Sequence, residues 1–154
     1  VTIASRTGTR YTDPQGRFSF TIPSDWRPSQ AQDAQVAIQF VSDVPRGNLN
    51  VAAQGIGNMV TLDDFAAAAV ADIQRAYPMY RFASQRIEAT TLAGEPARRY
   101  DFQGVQNGTS IQFTQLIAVK DGTAYVVTLS AAASDSRVFA GQAQIVLDSF
   151  AFHE

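Results

Sequence analysis

Asn107-Gly108 and Asp121-Gly122 constrain this chain more than any other feature. Both central positions of a type I′ turn need φ > 0, and Asn, Asp and Gly adopt it most readily. Alternating runs flank each pair. Thr109–Lys120 puts Ile111, Phe113, Gln115 and Ile117 on one face. Ala97–Val105 does the same with Tyr100 and Phe102, and Thr123–Ala131 with Tyr125, Val127 and Leu129. A fourth run, Arg81–Leu92, comes first and connects through Gly94-Glu95-Pro96. Period-two patterning joined by tight turns predicts an antiparallel meander of these four strands.

Upstream, Asp13-Pro14-Gln15-Gly16 reads as a turn, with Pro where its fixed φ suits the second position. It should join a short strand at Arg10–Thr12 to one at Arg17–Ile22, which Pro23 stops. Trp26 should fold onto the core, where its indole N–H needs an acceptor. Val36–Ser42 and Leu49–Ile56 read as two more strands around a Pro45-Arg46-Gly47-Asn48 turn.

Two helices are expected. Thr61 is an N-cap with Asp64 three residues on, and Leu62, Phe65, Ala66, Ala69, Ile73 and Tyr77 recur at helical spacing until Pro78. The second begins at Ser134 or Asp135 and buries Phe139, Ala143, Val146 and Leu147. The alternating segment Asp148-Ser149-Phe150-Ala151-Phe152 then reads as a closing strand. Helices set against antiparallel strands define an α+β protein.

At 154 residues the chain fits a single domain, and about 68–70% of its unfolded surface can be buried without a staple. It has no cysteine, which excludes disulfides, thiolate nucleophiles and thiolate zinc sites. Ten Phe and five Tyr supply core anchors. A net charge of −2 with no stacking motif argues against nucleic acid as a partner. No apolar run approaches the roughly 20 residues of a membrane span.

The stretch Tyr11 to Trp26, YTDPQGRFSFTIPSDW, resembles the opening of PsbP-like proteins, and the ending Leu147-Asp148-Ser149-Phe150-Ala151-Phe152 is similar to theirs. That group includes the PsbP family of photosystem II and the DcrB-like and LpqN-like bacterial envelope lipoproteins. The resemblance implies a central antiparallel sheet flanked by helices, an α/β/α sandwich spanning residues 11–154. Residues 1–10 are then a flexible lead. It also implies an extracytoplasmic location (secreted, periplasmic or lipid-anchored), with a signal peptide or lipid-bearing cysteine upstream of Val1. The implied role is non-enzymatic: an accessory module that docks on a membrane or envelope protein, with no cofactor.

Candidate sites are few. His153, the single histidine, reads as a frayed terminal residue rather than a ligand or base. Asp63-Asp64 suits dipole compensation better than cation binding. Asp33, Asp43, Glu88, Glu95 and Asp101 are too scattered to define a carboxylate pair. Gly55-x-Gly57 lacks the rest of any phosphate motif and reads as a connection. Arg75, Arg81, Arg86 and one of Arg98-Arg99 could form a basic patch, with solvated charge as the plainer reading.

The partner-binding candidates are Trp26, Met59, Pro78, Met79, Tyr80, Arg75 and Arg81. The loop Pro78-Met79-Tyr80 is preferred, because interfaces favour Met and Tyr and loops carry function. A small apolar ligand is the second reading. It needs a closed pocket between sheet and helix, lined by Phe65, Ile73, Phe113 and Phe139. A cytosolic GTPase partner is the third, since a Ran-release factor shares the general fold.

Overall fold

A computed structural model describes residues 8–30, 36–82 and 87–153. The strands are β1 (Thr9–Thr12), β2 (Phe18–Ile22), β3 (Arg27–Ser29), β4 (Val36–Ser42), β5 (Gly47–Gly55), β6 (Arg81–Phe82), β7 (Glu88–Leu92), β8 (Glu95–Gln106), β9 (Thr109–Lys120), β10 (Thr123–Ala132) and β11 (Ala151–Phe152). Helix α1 (Leu62–Ala76) follows β5, and α2 (Ser136–Ser149) follows β10. The larger sheet has the order β3-β4-β5-β10-β9-β8-β6, with β7 also on β8. The smaller has the order β1-β2-β11. All pairings are antiparallel.

The two hairpins form as their residues require. Asn107 and Gly108 take φ of 51° and 78° between Gln106 and Thr109, which pair. Asp121 and Gly122 take 51° and 76° between Lys120 and Thr123. A third two-residue turn, Ala93-Gly94, replaces the expected Gly94-Glu95-Pro96 connection, and Leu92 pairs with Glu95. Ala93 accepts φ 52° at a cost of about 1–2 kcal/mol, offset by strand pairing on either side.

The expected strand Arg81–Leu92 is interrupted. Arg81 pairs with Gln103 and Glu88 with Arg99, so seven steps of chain face four on β8. Residues 83–86, including Arg86, lie outside the described residues, as do residues 1–7 and Asp33. Strand β3, which contains Pro28, was not among the expected strands. It sits on the sheet edge, where a missing N–H costs nothing. At the other end α2 runs on through Ser149, whose hydroxyl donates to Ile145 O at 2.7 Å and accepts Thr21 N–H at 2.8 Å. The closing strand shrinks to Ala151–Phe152.

Alternation along the strands divides the core. On β9, Leu116 and Ala118 face α2 and the small sheet, while Ile117 faces α1. The first face is the deeper: Phe18, Phe20, Phe40, Leu49, Val51 and Val127 are buried there with Phe139, Ala143 and Val146 of α2. Phe18 and Phe20 stack on Phe150 at 5.5 and 5.6 Å, which binds the two ends of the described chain together.

The Asp-x-x-Gly turn has a specific chemistry. Buried Asp13 accepts from Arg17 Nε at 2.7 Å, from Nη2 at 3.2 Å and from the Arg17 amide at 3.2 Å. Gly16 closes the turn with φ 72° and an N–H to Asp13 O at 2.8 Å. Burial alone would raise the Asp13 carboxyl, but the hydrogen bonds and charge of Arg17 outweigh it and hold the pKa below its ordinary value.

Candidate functional site

Helix α1 starts as its sequence dictates, with Thr61 Oγ1 accepting Asp64 N–H at 3.0 Å. It ends where Tyr77 N–H donates to Ile73 O at 2.8 Å and Pro78 can continue no further. The turn Tyr77–Tyr80 folds back, and its two tyrosine rings stack at 4.6 Å. Tyr80 then lies across the sheet at 5.6 Å from Phe113, and Gln106 Nε2 donates to its hydroxyl at 2.9 Å. Gly104 makes this approach possible: a Cβ there would stand 2.1 Å from Tyr80 Cε1.

This packing leaves large apolar groups outside. Met79 is 86% exposed, Val105 67% and Tyr77 50%. Met79, Tyr80, Arg81, Gly104 and Val105 line a cavity of about 320 Å³ near the turn end of the β8–β9 hairpin. Val105 and Gly104 were not singled out as site residues from sequence, and Tyr77 was read only as part of the α1 pattern. The glycine interrupting an aromatic strand face was the available signal.

The remaining candidates do not join this patch. Met59 is 92% exposed but precedes α1, which separates it from Met79 by a helix about 22 Å long. Trp26 is buried. It stacks on Phe139 at 5.0 Å, and its indole N–H donates to Gln142 Oε1 at 2.8 Å. Arg75 is engaged by Asp72 at 2.6 Å. Arg98 and Arg99 do point to opposite faces, Arg98 reaching Asp63 at 2.7 Å on the α1 side. That ion pair also occupies the Asp63 of the proposed cation pair. The amides of Ile56 and Gly57 donate to Gly122 O at 2.8 and 3.2 Å, so this glycine turn is committed to the sheet.

His153 is not frayed. Its amide donates to Arg17 O at 2.9 Å, and its Nε2 lies 2.7 Å from Ser19 Oγ. Arg10 Nη2 donates to the same oxygen at 2.6 Å, and its Nη1 donates to Ser149 O at 3.0 Å. A guanidinium on the serine oxygen withdraws electron density, the reverse of what a nucleophile needs. The cluster fastens β1 to β2, to the residue after β11 and to the end of α2.

The expected closed pocket is instead an open groove of about 610 Å³ between α1 and the sheet. Phe65 and Ile73 line it with Val126 and Gln115. Phe113 packs on the same side, but Phe139 lies beyond the sheet against Trp26. On the sheet side Gln115 is held in a chain of hydrogen bonds. Tyr100 donates its hydroxyl to Gln115 Oε1, whose Nε2 donates to Thr128 Oγ1 at 3.1 Å. Burial raises the Tyr100 pKa, keeping it protonated as that donor.

The chain is thus a broad antiparallel sheet with one helix on each face and a smaller sheet beside α2. The model of the PsbP family matches residues 7–152, and the chain belongs to that family. Among solved structures, cyanobacterial PsbP (CyanoP) from Synechocystis sp. PCC 6803 is 18% identical with a TM-score of 0.70, covering 94% of this chain and 92% of its own. LpqN of Mycobacterium tuberculosis, involved in cell envelope biogenesis, is 14% identical with a TM-score of 0.69, covering 96% and 86%. The Ran-binding protein Mog1p of Saccharomyces cerevisiae is 10% identical with a TM-score of 0.60, covering 92% and 93%. No curated protein matches the sequence. At these identities the likeness concerns the fold.

Proposed function

We propose that this protein is a non-enzymatic docking module that acts outside the cytoplasm and binds a membrane or envelope protein. The observation that carries the reading is the exposure of Met79 and Val105 at the 320 Å³ cavity, with exposed Tyr77 stacked on Tyr80 of its wall. Solvent-facing Met and Tyr beside a pocket match the core of a protein interface, and Arg81 supplies a polar rim. Membership of the PsbP family and the likeness to LpqN support an extracytoplasmic setting. Among the described residues no helix is long and apolar enough to cross a membrane.

A photo-crosslinking residue at Val105, in the full-length protein expressed in its own host, should give one discrete adduct in the membrane or envelope fraction. Met79→Asp should abolish it. A smear that survives Met79→Asp would overturn the docking surface. Recovery of the protein in the cytosol would overturn the envelope setting and favour a cytosolic partner.

The groove beside α1 favours a second reading, a small apolar ligand held against Phe65 and Ile73. Binding of a fluorescent apolar probe such as anilinonaphthalene sulfonate, lost in Ile73→Asp, would sustain it. Equal binding by that variant would remove it.

A further inference from the structure

On the opposite side of the sheet a separate cavity of about 360 Å³ opens where the first turn of α2 passes over β8, β9 and β10. We infer that this cavity is a binding site for a small organic monoanion, a carboxylate carried on a short apolar body.

Two guanidiniums line it, Arg99 from β8 and Arg137 from α2. Arg137 is exposed and has no hydrogen-bond or ion-pair partner among the described residues. Arg99 meets Asp101 only at 3.4 Å, while Asp101 takes a closer hydrogen bond from Thr114. Glu88 faces Arg99 across β7 but does not line the cavity. The lining therefore carries two positive charges and one negative, and a single negative charge completes it. A phosphate dianion would meet Asp101 with excess charge.

The planar fork of arginine matches the two oxygens of a carboxylate. Gln112, also in the lining, adds an amide donor. Thr114 and Ser136 add hydroxyls, and the rest of the wall is apolar, from Leu129, Ala131, Phe139 and Ala140. The volume lies near the lower end of ligand cavities, with room for about ten non-hydrogen atoms. A carboxylate at the arginines thus leaves an aryl or short alkyl group against Phe139.

The test is an amide NMR titration of the whole chain with phenylacetate, hexanoate and 4-hydroxybenzoate, set against phenylacetamide and phenyl phosphate. At least one carboxylate should give saturable shifts at Arg99, Gln112 and Arg137, and phenylacetamide should not. Arg137→Gln, at an exposed position, should weaken binding about tenfold. Ala140→Leu should weaken it by filling the cavity while leaving both arginines in place. Arg75→Gln, on the other side of the molecule, should change nothing. The inference is overturned if no carboxylate saturates below about 10 mM. Equal binding of the neutral amide, or binding indifferent to both Arg137→Gln and Ala140→Leu, overturns it as well.

Discussion

The two faces of the large sheet are built from the same strands and are finished differently. The face under α2 is covered by a helix and a second sheet, and most of its aromatic residues are buried. The face under α1 is covered over β8 and β9, and Ala66 is the one described residue of the helix that is fully buried. The difference follows from what each helix brings. Helix α2 carries Phe139 down onto Gly47, where a Cβ would stand 2.3 Å from the ring. Helix α1 sets Leu62, Phe65, Val70 and Ile73 on its sheet side only partly buried, with the small Ala66 and Ala69 between them, so it buries less area. The α2 face thus holds most of the core and opens at the cavity beside the first turn of α2, while the α1 face leaves a groove along its helix.

If that division is right, the largest loss comes from the α2 face. Phe18→Ala should destabilise by about 4 kcal/mol in urea unfolding, since it removes the ring between Phe20 and Phe150. A loss below about 1 kcal/mol would mean the small sheet is only loosely attached.

Asp13→Asn should cost about 2 kcal/mol at neutral pH, because it breaks a pair whose carboxylate is buried and whose arginine is partly exposed. The folded pKa lies below the unfolded value, so this contribution is present above the ordinary 3.8 and disappears as pH falls through the lower folded value. Acid unfolding of the wild type should therefore steepen below about pH 4, and Asp13→Asn should flatten that limb. An unchanged acid limb would show that Asp13 does not drive it.

On the α1 face, Ile73→Ala should cost about 1.5 kcal/mol, because the side chain is only half-buried. A cost equal to that of Phe18→Ala would erase the distinction between the faces. Thr61→Ala should remove about 1 kcal/mol through the lost cap, read as earlier amide exchange in the first turn of α1. Met79→Asp should change stability by less than about 0.5 kcal/mol while abolishing the crosslink, as an interface residue exposed in the free protein should.

Much of this was legible beforehand. The hairpins at Asn107-Gly108 and Asp121-Gly122, the Thr61 cap and the buried stripe of α2 all depend on residues close in sequence. The terminal patterns read as PsbP-like, and the family assignment agrees. What escaped was non-local. Nothing near Pro28 announces an edge strand, and nothing near His153 announces Ser19. Trp26 was expected on the core and is buried there against α2, but the sequence did not show that Met59, likewise a partner candidate, would lie a helix length away from Met79.

The sequence by itself determined the local geometry: which turns are tight, where each helix starts, and which residues alternate inward. These follow from φ preferences, capping groups and period, each a matter of a few adjacent residues. Tertiary structure alone decided that β10 pairs with β5, which sets the centre of the sheet. It also brought Arg99 and Arg137 into one cavity and set Val105 beside Met79. Those neighbours come from distant segments that meet only when the apolar faces of the sheet find their helices, and no short-range preference encodes that meeting.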